Sequence, residues 1–591
     1  MMITRSLEKE IVKDKEQGLT DLEIGRKYKI NYRQLEKIIR KAVGITVSSI
    51  KTEKKIKTWQ PKDFKEEATT VWSFKNRGNW ATHSGEYRGN WSPYIPRNVI
   101  LKYSKPDDLV LDYFCGAGTT AVESKLLSRK CIAFDINEKA IELARKNLDF
   151  EIPAHFYKKP IYEPETFVGD ARDLSFLSDN SIDLICAHPP YANIIQYTEN
   201  KDGDLSYFDI EHFLKKMEKV AQESFRVLKP GRQCAILIGD MRKHKHVIPL
   251  GFKLINVFLN AGFKLKELII KRQHNCKTTG FWYANSIKFN FLLLAHEYLP
   301  IFEKPLSLDY YKVEEPTTQH SVVLPYIDKL TSRRKIDTIE STTVWILPTK
   351  DFQDSIDENV IKRYSKKKTY QIIDFSFLKK EQGRNNEKII PPKNDLIFIR
   401  TPFLLNSPSS AALTNQYLND IKEFIQFNLD HLELDGYCVI QTKDIRIGDY
   451  IELTAKRIFD MLADNKNLHL KEIIIVTDED NGYPGSEYET GNLKINHQYL
   501  LVYQKKIAWI KRLYFASKIS FFEFIQDEFK KTSIDLSVLK NENLGCPFFW
   551  ITAGNYWLTL DGRSRFYNLL NRFDKIYNIN SFTEEISLIT L

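Results

Sequence analysis

The sequence predicts an α/β chain: a mostly parallel sheet flanked by helices, a second, degenerate copy of that unit, and a small all-α module in front. Three observations carry this. A short apolar strand runs into a glycine-rich turn and a helix over residues 109–127. A second apolar strand, Cys131 to Phe134, ends in Asp135, an acid about twenty residues beyond the glycines. After residue 335 the segments of the first unit return in the same order. The boundaries read as 1–46 for the α module, 47–66 for a linker, 67–304 for the complete unit, 335–505 for the degenerate copy and 506–591 for an appendage.

The bulk numbers agree with several packed domains. A chain of 591 residues with 42% apolar content exceeds a single ordinary core. The excess of 87 basic over 77 acidic residues, a net +10, suits a polyanionic partner. The seven cysteines include no C-x-x-C pair, and no apolar run reaches the roughly 18 residues of a membrane span. A reduced, cytoplasmic setting is expected, with no membrane partner. No metal is expected either, since His244 and His246 lack completing Cys or carboxylate ligands.

Residues Ser6 to Val43 carry apolar positions at Leu7, Ile11, Leu22, Ile24, Tyr28, Leu35, Ile38 and Ile39, spaced for one buried helical face. Gly18 breaks the first helix, Thr20 caps a second, and Ile30-Asn31 turns into a third, Tyr32 to Lys41. This resembles the helix-turn-helix module of resolvases and repressors. In such a module the last helix enters the major groove, so Arg33 and Gln34 are expected at base edges, with Lys37 and Arg40 on the same DNA-binding helix. A helical hairpin for protein contacts is the competing reading.

In the complete unit, Leu109-Val-Leu-Asp112-Tyr-Phe114-Cys-Gly116-Ala-Gly118-Thr119-Thr120 is a strand, a turn and a helix start. Gly116 and Gly118 allow a sharp bend and close approach of a ligand. Asp135 is placed to accept from ribose hydroxyls, and Asp170, at the end of a third strand, from an adenine amine. These residues resemble the class I AdoMet-dependent methyltransferases, and more narrowly the DNA amino-methyltransferases of the N6-adenine and N4-cytosine type, whose first motif is similar to Asp112 to Thr120. The resemblance implies S-adenosyl-L-methionine as cofactor and a Rossmann-like sheet. Asp112, Phe114, Gly116, Gly118, Thr119, Thr120, Asp135 and Asp170 are then its binding residues. The stretch from Trp80 to Arg97 precedes the first strand, as that family's accessory cofactor motif does in one permuted order.

Ser181 to Tyr191 reads as a strand running into a turn stiffened by Pro189 and Pro190. In the family this position is Asp, Asn or Ser, then Pro-Pro and an aromatic. The polar group and a backbone carbonyl accept from the target NH2, and the aromatic stacks on the flipped base. Here His188 takes the polar position and Tyr191 the aromatic one, so His188, Pro189, Pro190 and Tyr191 are the expected catalytic residues. A neutral imidazole offers one acceptor, which leaves adenine and cytosine both open. Lys271 and Arg272, with Trp282 in a basic, aromatic loop, are expected to hold phosphates or the flipped base, packing being the alternative for the aromatics.

The copy is read block by block. Asn98-Val-Ile-Leu-Lys-Tyr-Ser-Lys105 returns as Asn359-Val-Ile-Lys-Arg-Tyr-Ser-Lys366, Leu265-Lys-Glu as Leu470-Lys-Glu, and His296-Glu-Tyr298 as His497-Gln-Tyr499. The glycine turn is missing, and Arg400 stands where His188 stood, a cation with no lone pair for an amine. The copy is expected to be inert, like half of a dimer fused into one chain, with Arg400, Lys443 and Arg446 touching phosphates. The expected function is methyl transfer to an exocyclic amine of double-stranded DNA in a restriction-modification or genome-modification role, with a cognate restriction endonuclease as a possible partner. Three alternatives stand beside it: a fused nuclease built on Asp435 and Gln441-Thr442-Lys443, methylation of RNA or of a protein glutamine, and a non-catalytic AdoMet-sensing regulator.

Overall fold

The computed structural model describes residues 5–30, 56–153, 160–191, 204–306, 339–374, 393–401 and 411–506 apart from short gaps inside them. It also describes Leu35, Ile38 and three short strands beyond residue 508. The N-terminal helices α1 (Arg5–Glu16) and α2 (Asp21–Tyr28) close over Ile11, Ile24, Ile30, Leu35 and Ile38. Asp14 ties them, accepting from Lys27 at 2.7 Å and Tyr28 at 2.6 Å. The Arg26 guanidinium lies over the Phe176 ring, 5.7 Å from its centroid, which seats the module against the first sheet unit. Arg33, Gln34, Lys37 and Arg40 lie outside the described residues.

The first sheet contains, in chain order, β1 (Val71–Ser73), β2 (Leu109–Asp112), β3 (Lys130–Asp135), β4 (Glu165–Val168), β5 (Ile182–Ala187), β6 (Leu228–Ile236), β7 (Lys264–Arg272) and β8 (His296–Glu303). Between them run α3 (Tyr94–Tyr103), α4 (Thr119–Leu126), α5 (Glu138–Leu148), α6 (Ile210–Val227), α7 (Leu250–Asn260) and α8 (Gly280–Lys288). The spatial order is β4-β3-β2-β5-β6-β8-β7-β1, nine strands once Ile238–Gly239 beside β8 is included. β8 is antiparallel to both its main neighbours, and the other pairings are parallel. Helices cover both faces, so a central strand such as β5 is buried at all six positions, and its apolar residues run without alternation. In α6, Asp209 caps the first turn and Phe213, Met217, Val220, Ala221, Ser224 and Val227 form the buried stripe. The chain leaves β2 toward β3 on one side and returns to β5 on the other. The crevice beyond β2 and β5 is therefore the switch point where such sheets bind ligands.

The second sheet contains β9 (Val344–Leu347), β10 (Tyr370–Asp374), β11 (Asn394–Arg400), β12 (Leu432–Thr442), β13 (Leu468–Asp478) and β14 (His497–Lys505). With it come α9 (Phe352–Tyr364), α10 (Ala411–Leu429) and α11 (Thr454–Leu462). Its order, β9-β13-β14-β12-β11-β10, matches β1-β7-β8-β6-β5-β2 of the first strand for strand. Counterparts of β3 and β4, the strands that complete a nucleoside site, are absent among the described residues.

The two units meet through reciprocal contacts. Arg242 donates to Glu472 at 3.1 and 2.5 Å, and Arg446 donates to Glu267 at 2.5 Å. The Leu292 N–H donates to Glu472 at 3.0 Å and the Leu493 N–H to Glu267 at 2.9 Å. Thr343 Oγ1 lies 2.8 Å from His296 Nδ1, and Thr70 Oγ1 lies 2.8 Å from His497 Nδ1. Each contact from one unit has its partner with the roles exchanged, as in an isologous dimer. The expectation for Arg446 is corrected here: its guanidinium serves the interface, because Glu267 is buried and needs a counter-charge. Arg400 is also committed, bonded to Asp374 at 2.5 and 2.6 Å and to Asp357 at 2.8 Å.

Candidate active site

Beyond the tip of β2 the chain turns through Gly116 (φ 48°) and Gly118 (φ 78°), both in the left-handed region that side chains resist. A Cβ on Gly116 would stand 3.0 Å from the Tyr87 ring, and one on Gly118 would stand 3.0 Å from the Ala144 Cβ. The turn is held from β3: Asp135 accepts from the Gly116 N–H and from the Asn137 N–H, each at 2.9 Å. Asp112 does not line the opening. It is buried, accepts the Phe114 N–H at 3.1 Å, and burial pushes its carboxyl up to about 7.

A cleft opens at this switch point. Of the residues expected from sequence, Phe114, Gly116, Asp135, Asp170, His188, Pro189 and Pro190 line it. Asp112, Gly118, Thr119 and Thr120 are not among its lining residues. Thr120 is fully buried, and the Thr119 hydroxyl donates to Asn90 Oδ1 at 2.6 Å. Asp170 meets the cleft already paired with Arg172, at 2.6 Å. Asn90 and Trp91, inside the stretch read as an accessory cofactor motif, also line it, as do Ile136 and Asp204, which were not singled out from sequence.

The stretch from Trp80 to Arg97 is anchored on α4. Glu123, fully buried there, accepts from Trp80 Nε1 at 2.6 Å and from Arg97 at 2.9 Å, and lies 2.7 Å from His83 Nε2. This polar knot carries Asn90 and Trp91 to the cleft from a segment outside the sheet core. Trp91 stacks on His188 with ring centroids 5.4 Å apart and planes 23° from parallel.

At the proline turn, His188 Nε2 is 2.9 Å from Tyr191 Oη, Tyr191 Oη donates to Glu297 at 2.7 Å, and Lys271 Nζ donates to Glu297 at 2.7 Å. Burial drives the His188 imidazole down to about 4, so the ring is neutral near pH 7. The Tyr191 hydroxyl is engaged, and its ring packs where a Cβ on Gly239 would come within 2.8 Å. Lys271 was to meet phosphate, but it is ion-paired with the buried Glu297. Arg272 is half-buried on the same strand, and the Trp282 side chain lies outside the described residues. Of the residues read as a nuclease remnant, the Gln441 amide bonds Gln353 and Gln498, and burial lowers the Lys443 ammonium pKa.

This strand order, with a glycine turn and an acid facing a proline turn across the switch point, defines a class I AdoMet-dependent methyltransferase. The chain belongs to the DNA methylase family N6_N4_Mtase, whose family model matches residues 11–146 and 182–388. It is 30% identical over 158 residues to the type II methyltransferase M.MthZI of Methanothermobacter thermautotrophicus, covering 23% of this chain and 44% of that protein. It is 34% identical over 106 residues to a tRNA (guanine(10)-N2)-dimethyltransferase of Methanothermobacter thermautotrophicus (strain Delta H), covering 18% and 29%. The chain thus spans less than half the length of these relatives. A solved SAM-dependent methyltransferase from Methanosarcina mazei aligns at 18% identity over 35% of this chain and 98% of its own, with a TM-score of 0.26. Among the described residues, no helix is long and apolar enough to cross a membrane.

The residues fit the cofactor of this class. The glycine backbone leaves room a Cβ would fill, and Asp135 and Asp204 put carboxylates on a cleft that must take a sulfonium cation. Burial pushes the Asp135 carboxyl up to about 6. Above that pH it is charged and accepts from donors, and below it the carboxyl is protonated and loses acceptor capacity. Affinity for S-adenosyl-L-methionine should therefore be flat above about pH 7 and weaken by up to about tenfold per unit below 6. Calorimetric titration across this range checks it, and Asp135→Asn should flatten the profile.

Proposed function

We propose that this chain transfers the methyl group of S-adenosyl-L-methionine to an exocyclic base amine, N4 of cytosine or N6 of adenine, in double-stranded DNA. The observation that carries this reading is the joint placement of the Gly116 turn and the His188-Pro189-Pro190 turn in one cleft. The cofactor supplies an electrophilic methyl on its sulfonium. Asp135 and the Gly116 backbone hold the cofactor from one wall. From the other, His188 and a backbone carbonyl of the proline segment accept hydrogen bonds from the two amine N–H groups, and His188 would take the one proton the nitrogen sheds as it gains the methyl and the sulfonium becomes a neutral thioether. An aromatic amine is a weak nucleophile because its lone pair is delocalised into the ring. Acceptors on both N–H bonds draw it toward a pyramidal geometry and fix its approach. A base reaches the cleft only when swung out of the duplex.

The N-terminal module with Arg33, Gln34, Lys37 and Arg40, and Arg272 with Trp282 further along the chain, serve as DNA contacts. The unit from 335 to 505 is a catalytically inert copy, since Arg400 and its two aspartates occupy the place of the acceptor. The type II methyltransferase name of M.MthZI supports a restriction-modification role.

Incubation with tritiated S-adenosyl-L-methionine and duplex DNA tests the reaction. Label is expected in DNA, as N4-methylcytosine or N6-methyladenine on nucleoside analysis, with His188→Ala slower by about a hundredfold or more. Because one relative acts on tRNA, a parallel tRNA arm is required. Label in RNA alone, or in neither, overturns the proposal.

A further inference from the structure

We infer that Tyr191, Glu297 and Lys271 form a positioning relay that holds His188 as the Nε2–H tautomer, so that its Nδ1 lone pair is the acceptor offered to the substrate amine. The inference rests on the reaction proposed above and supplies what that reaction leaves open: which ring nitrogen accepts, and what decides it.

The assignment follows from donor arithmetic. A lysine ammonium has donors only, and Lys271 donates to Glu297 at 2.7 Å. Burial opposes charge on Glu297, but the neighbouring Lys271 and the hydrogen bonds from Lys271 and Tyr191 outweigh it and hold the carboxyl down at about 2. A carboxylate only accepts, so the Tyr191 proton goes to Glu297 across 2.7 Å. A phenol has one proton. Toward His188 Nε2, 2.9 Å away, Tyr191 Oη therefore presents lone pairs, and Nε2 must carry the hydrogen. In a neutral imidazole the other nitrogen, Nδ1, is then the acceptor. The Trp91 face and the Tyr191 edge, with centroids 5.4 Å from His188 on both sides, fix the plane of the ring.

An independent observation comes from the inert copy. At the registers of His188, Tyr191, Lys271 and Glu297, it carries Arg400, Phe403, Val476 and Gln498. All four members are replaced together, as expected if they serve one purpose that the copy has no use for. Glu297 and Lys271 are 109 and 83 residues from His188 in sequence, so their joint loss is not a local drift of one loop.

Glu297→Gln, which installs the residue of the copy, tests the relay. Lys271 can bond only the amide oxygen, which turns the amide NH2 toward Tyr191. Tyr191 must then donate to Nε2, and His188 changes to the Nδ1–H form, facing the amine with a donor. In the full-length chain labelled with 15N-histidine, long-range 15N–1H spectra, with His188 assigned among the 12 histidines by its loss in His188→Ala, read the tautomer directly. The expected result is Nε2–H in the parent and Nδ1–H in Glu297→Gln. Kcat should fall about a hundredfold in that variant while the affinity for S-adenosyl-L-methionine stays unchanged. Tyr191→Phe, which keeps the ring packing, should give mixed tautomers and a drop of about tenfold in kcat. An Nδ1–H or charged His188 in the parent at neutral pH, or an unchanged tautomer in both variants, overturns the relay. If the tautomer behaves as stated but no base is methylated, the reaction fails and the relay stands. If bases are methylated with the wrong tautomer, the relay alone fails.

Discussion

His188→Arg should reduce methyl transfer to less than about one thousandth of the parent rate, the largest loss expected of any single change at this site. The substitution copies Arg400, which sits at the same register of the second sheet. There the guanidinium is neutralised by Asp374 and Asp357. The first unit has no equivalent pair: Asp112 is buried behind the glycine turn, and the counterpart of Asp357 is Pro96. The new cation would lie near Glu297, whose field raises the pKa of His188, but also near Lys271 and Arg77, whose fields lower it, and Glu297 is already bonded by Lys271 and Tyr191. It brings only donors to a site that needs an acceptor, and it repels a sulfonium. Single-turnover transfer at saturating DNA measures the first effect and calorimetry of cofactor binding the second. A variant that kept more than about a tenth of the parent rate would show that position 188 does not accept the amine.

Much of the cofactor wall was legible because its causes are local. A strand that must stop, a backbone that must bend at Gly116 and Gly118, and an acid at the next strand end are each dictated by neighbours in sequence. Pro189 and Pro190 announce a fixed turn in the same way. The tuning of His188 was not legible, because it is set by Glu297, more than a hundred residues away on β8. Lys271 looked like a phosphate contact since a lysine beside an arginine near aromatics reads as a basic edge. Only pairing β7 with β8, which sets Lys271 against Glu297, shows where its charge goes. For Tyr191 the motif marks only an aromatic, and the strand placement shows what holds its hydroxyl. The repeat was visible in Leu265-Lys-Glu and Leu470-Lys-Glu. That both glutamates turn toward the opposite unit required the strands to be placed, because the sequence does not say which face of a sheet meets which partner.

Those two glutamates give the second large effect. Glu472 is 1% exposed and bonds the Arg242 guanidinium and the Leu292 N–H, while burial lifts its carboxyl above the usual range despite the arginine beside it. The cost of burying the charges thus rivals their attraction, and the pair as a whole adds little to stability compared with an apolar pair of the same shape. Removing one member is a different matter. Glu472→Ala takes from Arg242 the carboxylate it bonds across the units and leaves the Leu292 amide without an acceptor, and should destabilise the chain by about 3–5 kcal/mol. Glu267→Ala should do the same through Arg446, because the interface repeats the contact with the roles exchanged. Arg242→Met combined with Glu472→Leu removes both charges and leaves mainly the unpaired amide, a cost of about 1–3 kcal/mol. The double variant should therefore be more stable than Glu472→Ala alone in urea unfolding followed by fluorescence. If Glu472→Ala cost less than about 1 kcal/mol, the coupling would have to reside in the shared apolar core, where Phe252 packs against Tyr499 with centroids 6.4 Å apart.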